Sequence, residues 1–272
     1  MSGIRRPAVA GQFYPGESQR LRKQVEGYLA AAGKVVNSTS TEPAPKAIIA
    51  PHAGYVYSGP VAGSAYAYLA ANGPAVRRVV LLGPAHWLPV PGLAASSADA
   101  FATPLGNVPL DREAQEQVLH LDQVHVVDEA HTREHSLEVQ LPFLQVIFNE
   151  FSLLPLAVGV ATADEVAEVL TTLWGGPETI IVISSDLSHY NDYQTAREVD
   201  RATSEDIEHL QPLEEGQACG RRAINGLLQL ARQRGLSAHT VDLRNSGDTA
   251  GPRDRVVGYG AYLFNEAAGP QN

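Results

Sequence analysis

Three times in this chain a short apolar run ends in a loop that carries a histidine. Ala47-Ile48-Ile49-Ala50 leads into Pro51-His52-Ala53-Gly54-Tyr55-Val56-Tyr57-Ser58-Gly59-Pro60, and Arg78-Val79-Val80-Leu81-Leu82 leads into Gly83-Pro84-Ala85-His86-Trp87. Thr179-Ile180-Ile181-Val182-Ile183-Ser184-Ser185 leads into Asp186-Leu187-Ser188-His189-Tyr190. Continuous apolar runs bounded by Gly and Pro read as strands buried on both faces. Helical patterns separate them, beginning with 60–72, where Pro60 suits a first turn. Strands alternating with helices predict an α/β fold, a single domain over residues 1–272 whose mostly parallel central sheet is covered by helices. In such sheets ligands bind beyond the carboxyl ends of the strands. His52, His86 and His189 are therefore expected at one crevice.

Composition narrows the function classes. A net charge of -10 without a Lys/Arg cluster speaks against a nucleic-acid surface. The one cysteine, Cys219, excludes an internal disulfide and fits a reducing, cytoplasmic compartment. Met1 to Pro15 lacks an apolar h-region, so no signal peptide is expected. No apolar run approaches the length of a membrane span. The chain has no glycine-rich phosphate loop and no G-x-S-x-G elbow, so nucleotide use and serine hydrolysis lose support.

Further elements follow in order. Ser18 caps a helix to about Ala32, and Val36 to Lys46 reads as a mobile linker. Leu93 to Phe101 supplies one or two short strands, closed by a turn at Thr103-Pro104-Leu105-Gly106. Helices are expected at 111–121, 137–148, 162–174, 195–210 and 219–234, and strands at 124–127, 152–160, 236–243 and 256–264.

Of the nine histidines, His120, His125, His209 and His239 show no partner signal. Asp186, three residues before His189, suits either an acid/base role in the crevice or the N-cap of the next helix. Cys219 precedes Gly220-Arg221-Arg222 at a helix start, where dipole and guanidinium charge favour thiolate. His131-Thr132-Arg133-Glu134-His135 matches H-x-x-E-H, but helical periodicity begins only near Ser136, which argues against a zinc peptidase. Glu134 and His135 are instead expected at a helix start, pointing toward the crevice as polar groups that support the ligands, as is Tyr57, with Glu138 joining them one turn on.

Taken together, Pro51-His52-Ala53-Gly54-Tyr55 with Ser58-Gly59, Leu82-Gly83-Pro84-Ala85-His86, Glu134-His135-Ser136-Leu137-Glu138-Val139-Gln140-Leu141-Pro142, Ser184-Ser185-Asp186-Leu187-Ser188-His189 and Cys219-Gly220-Arg221 resemble the Memo-like proteins, including the AmmeMemoRadiSam system protein B. The motifs run in family order from Arg6-Pro7-Ala8-Val9-Ala10-Gly11-Gln12-Phe13-Tyr14 to the last strand. The resemblance implies a fold similar to class III extradiol dioxygenases. It also implies a metal, iron (Fe2+) or copper, held by His52, His86 and Cys219, with Asp186 and His189 as catalytic residues lining the same pocket. A thiolate where the dioxygenases have a carboxylate shifts preference toward copper or redox iron. Two functional classes follow from the resemblance. One is a metal-dependent oxidoreductase acting on a small substrate. The other is a non-catalytic binding or scaffold protein that serves companion proteins of the system, one of them a radical-SAM protein.

Overall fold

The computed structural model describes residues 3–39, 44–72 and 76–266. The first half of the chain contains β1 (Ile4–Arg5), α1 (Ser18–Thr39), β2 (Ala47–Ala50), α2 (Tyr55–Asn72), β3 (Arg78–Pro84) and β4 (Leu93–Ala95). It continues through β5 (Ala100–Thr103), β6 (Gly106–Pro109), α3 (Arg112–Val118), β7 (Val124–Val126) and α4 (Asp128–Thr132). A 3-10 turn, Glu138–Gln140, runs into α5 (Leu141–Ile147), followed by β8 (Ser152–Val158), α6 (Ala163–Thr172) and β9 (Thr179–Ser184). The remainder is β10 (His189–Asn191), α7 (Tyr193–Glu208), α8 (Arg221–Arg234), β11 (Ser237–Asn245), α9 (Ser246–Thr249) and β12 (Val256–Asn265).

The main sheet has the order β10-β12-β2-β9-β3-β8-β4-β7, with β11 paired to β12. Its centre, β2-β9-β3-β8, is wholly parallel. The flanks are not: β12 runs antiparallel to β2, β10 and β11, and β4 runs antiparallel to β8. A small separate sheet, β1-β5-β6, carries the N-terminus.

The period of two explains how the apolar runs sit between two layers of helices. Ile48, Val79, Leu81, Ile180 and Val182 enter one core, shared with Leu21 and Val25 of α1 and Tyr66 of α2. Their neighbours Ile49, Val80, Leu82, Ile181 and Ile183 enter the other, shared with Val166 of α6 and Leu227 of α8. Each such side chain contributes about 1.5–3 kcal/mol relative to exposure.

The sequence reading needs correcting at several elements. Helix α2 begins at Tyr55, so Pro60 lies inside it rather than in its first turn. The start is set by Tyr55 N–H, which donates to the Phe13 carbonyl, and by Gly54, whose carbonyl accepts from Tyr57 and Ser58. Gly59 and Gly63 then let α1 approach: a Cβ on Gly59 would lie 2.4 Å from the Tyr28 ring. Helix α1 runs on to Thr39, into the segment read as a linker, of which 40–43 lie outside the described residues. Strands β6 and β10, too short to leave a pattern, were not anticipated. Among the described residues no helix is long and apolar enough to cross a membrane.

Candidate metal centre

Strand β9 lies between β2 and β3, so the loops after all three open at one end of the sheet. His52 follows β2 by two residues and His86 follows β3 by two. A parallel register thus brings together residues far apart in sequence.

The His52 ring is buried, and its Nδ1 lies 2.9 Å from Ser184 Oγ. That hydroxyl donates its own proton to the Ser136 carbonyl and accepts a bond from Gln140 Nε2. It can therefore only accept from His52, which places the ring proton on Nδ1 and leaves Nε2 as an acceptor facing the Cys219 thiol. The Nε2 atom stands 3.3 Å from Cys219 Sγ. Burial, followed by the neighbouring His86 and His135, drives the pKa of His52 well below its ordinary value, so the ring is neutral, the form that binds a metal.

Glu134 holds His86. Its Oε2 accepts the His86 backbone N–H at 2.6 Å and its Oε1 takes the ring Nδ1–H at 2.9 Å. The N–H groups of His135 and Ser136 add two more bonds to Oε1. Burial alone would raise this carboxyl, but the bonds and charge of His86 outweigh it and hold the pKa at about 2. His86 Nε2 is left free. An oxygen partner on the outer nitrogen of a histidine is the usual means of aiming a metal ligand.

Cys219 sits just ahead of α8, tied by its N–H to the Asp186 carbonyl at 3.2 Å. The expectation of a ready thiolate is not met. Burial and the charge of Asp186 push the thiol up to about 12, against the Asp186 N–H that points at Sγ from 3.3 Å. The arginines are engaged elsewhere: Arg221 faces Glu215 at 3.9 Å and Arg222 donates to the Gly159 carbonyl. A cation binding here would have to displace the thiol proton.

The ligand atoms of His52, His86 and Cys219 all lie within 4.8 Å of one another. Two imidazoles whose Nε2 atoms face the crevice, together with one thiol, fit a soft or borderline divalent ion. A second group, His86, Glu134 and His135, meets the same distance limit, but the Glu134 oxygens are already taken by four N–H groups. That group positions His86.

Asp186 is buried, and its Oδ1 accepts the His52 N–H at 2.7 Å. The helix-cap alternative falls away, because α7 is capped by Asp192, which accepts from Gln194 and Thr195. Burial raises the Asp186 carboxyl to about 7. His189 lines the crevice, with Nδ1 2.8 Å from the Leu187 carbonyl, so its proton sits on Nδ1 and Nε2 is free.

His135 lines the crevice directly, edge-on to His52 at 5.5 Å and stacked on His86 at 4.9 Å. Tyr57 stands at the mouth, 39% exposed. Glu138 does not join them. It turns away to accept from the Arg5 guanidinium, the N–H groups of Ala8 and Val9, and the Tyr14 hydroxyl. The H-x-x-E-H match spans the end of α4, and buried His131 points to the Ala94 carbonyl. His120, His125, His209 and His239 are exposed and absent from the crevice lining.

The crevice encloses about 760 Å³. Sequence reasoning missed Phe13, Tyr259 and Arg255, which also line it. Phe13 was signalled only as part of the N-terminal motif. The other two sit on or beside β12, where strand periodicity says nothing of a ligand.

The family model of the Memo-like protein matches residues 5–263. A MEMO1 family protein of Sulfolobus acidocaldarius is 34% identical over 97% of this chain and 100% of its own length. One from Nitrosopumilus maritimus is 34% identical over 96% and 99%. In fold, the chain is similar to the crystal structure of an uncharacterized protein from Escherichia coli K12, with a TM-score of 0.54 and 14% identity over 80% of this chain and 98% of that one. With whole-length matches to both the family model and its curated members, the chain belongs to the Memo-like family.

Proposed function

We propose that the protein binds a redox metal, iron or copper, through His52, His86 and Cys219, and uses it as an oxidoreductase on a small substrate. The observation that carries this reading is the aiming of both rings: Ser184 and Glu134 occupy the outer nitrogens, and Cys219 Sγ lies 3.3 Å from the inner nitrogen of His52. A metal with three protein ligands keeps a position open and supplies electron transfer or Lewis acidity there. Around it the chain's own groups would handle protons. His189, with Nδ1 fixed by the Leu187 carbonyl, offers Nε2 as a base. Asp186, near pH 7 in its titration, orients the His52 backbone and can hold a proton at neutral pH. A fold akin to the class III extradiol dioxygenases and a cytoplasmic setting, where the thiol stays reduced, belong to the same reading.

The rival role, docking of AmmeMemoRadiSam companions such as a radical-SAM protein, draws on the exposure of Val56, Tyr57, Trp87 and Tyr190 on or beside the crevice. Metal content after anaerobic purification decides the first point. Near-stoichiometric iron or copper in wild type, lost in His52→Ala, His86→Ala and Cys219→Ser, is expected. A wild type that cannot be loaded would refute the metal reading and favour docking.

A further inference from the structure

The crevice is lined by two kinds of side chain. Histidines, Asp186 and Cys219 form one part of the lining, and Phe13, Val56, Tyr57, Tyr190, Val257 and Tyr259 form an apolar, largely aromatic wall. One cation, Arg255, lines the same crevice. Its guanidinium lies 5.0 Å from the centre of the Tyr190 ring and has no carboxylate partner among the described residues. Two other arginines late in the chain differ: Arg253 faces Asp248 at 4.0 Å, and Arg244 is paired with Asp242. The other charged group of the lining, Asp186, is turned onto the His52 N–H.

Tyr190 itself is held in the left-handed region, φ 64, a conformation costly for an aromatic residue. The strained residue is the one that supports Arg255. In a chain of net charge -10, an exposed guanidinium without a carboxylate partner, lying over the exposed Tyr190 ring beside the crevice, is a local exception to the field that repels anions. Arginine offers a planar fork suited to carboxylate, sulfonate or phosphate oxygens, and it keeps that capacity while stacked. A cavity of about 760 Å³ accommodates a small molecule of one or two rings.

We propose that Arg255 receives the acidic group of a small organic anion whose apolar body lies along the aromatic wall, with its other end toward the histidines. This names the substrate class of the crevice, and it rests on the reading of that crevice as a ligand site given above.

The test uses two fluorescent probes with the same ring system, 8-anilinonaphthalene-1-sulfonate and uncharged N-phenyl-1-naphthylamine, titrated into the full chain. Wild type is expected to bind the sulfonate tighter by about tenfold, the size of one charge-assisted hydrogen bond. Arg255→Gln should abolish that preference while leaving the uncharged probe unaffected, Arg255→Lys should retain part of it, and Arg253→Gln should retain all of it. Equal affinities in wild type, no binding of either probe, or a preference that survives Arg255→Gln would overturn the assignment. Metal content is measured in parallel. An empty wild type would sink the metal reading while leaving the probe comparison valid, and an unchanged affinity for the uncharged probe in Arg255→Gln shows that the variant is folded.

Discussion

Ser184 and Glu134 do the same work on two histidines by different means. A serine hydroxyl has one proton, and here it is committed to Ser136, so His52 has no choice of tautomer. Glu134 achieves this with charge, and the N–H groups aimed at it keep its carboxyl ionised in a site that otherwise opposes ionisation. Glu134→Gln keeps the shape and removes the charge. The expected result is a metal affinity lower by about 10–100-fold in competition with a chelator, with the fold intact. Undiminished affinity would show that His86 is aimed by backbone alone. At this scale the sequence was only partly legible. His52 and His86 follow from strand-end placement, but the state of the Cys219 thiol does not. Helix position and nearby arginines argue for thiolate, while burial and Asp186, invisible without the fold, argue more strongly for thiol.

Among the elements, the N-terminal segment is bound to the body through the 3-10 turn. Glu138 is fully buried and gathers Arg5, Ala8, Val9 and Tyr14, so the stretch that ends in Phe13 is fixed against the crevice. Glu138→Ala leaves Arg5 buried without its counter-charge, a loss of about 3–5 kcal/mol. Urea unfolding should show that cost, and amide exchange at Ala8 and Val9 should accelerate beyond the global change; protected amides there would contradict the anchoring. Periodicity found the long elements because their apolar spacing is dictated by two cores. It could not tell that Glu138 faces away from Glu134, since a 3-10 turn followed by a helix does not keep the 100° step on which a face assignment rests. Pro60 misled for a related reason: α2 is started by a contact from Phe13, more than forty residues earlier in the chain, and that contact overrides the local preference for proline in a first turn.

For the molecule as a whole, stability should depend on pH through two buried groups that act in opposite directions. Burial pushes Asp200, whose Oδ1 accepts the Ser188 N–H, up to about 6, so its contribution is complete below about pH 4 and is lost as pH rises toward 6. Burial pushes His131 down to about 4, so its penalty appears as pH falls from 6.5. Asp200→Asn removes only the first. The stability difference between variant and wild type, read from urea curves, should grow by roughly 2–3 kcal/mol between pH 4 and 6 and then level off. A difference flat with pH would mean that Asp200 is ionised throughout. The arrangement of the sheet was legible where apolar runs are continuous and illegible at its antiparallel flanks, where pairing partners leave no mark on composition. The sheet order also imposes a sequence in time. The donors of the candidate centre are 167 residues apart between His52 and Cys219, and β9, which sits between β2 and β3, is made long after both. During synthesis the two earlier strands must wait without their shared neighbour, so an ion present in the cell meets scattered single ligands rather than a site. The metal would be captured late, by a finished scaffold, and its loss should leave the scaffold standing.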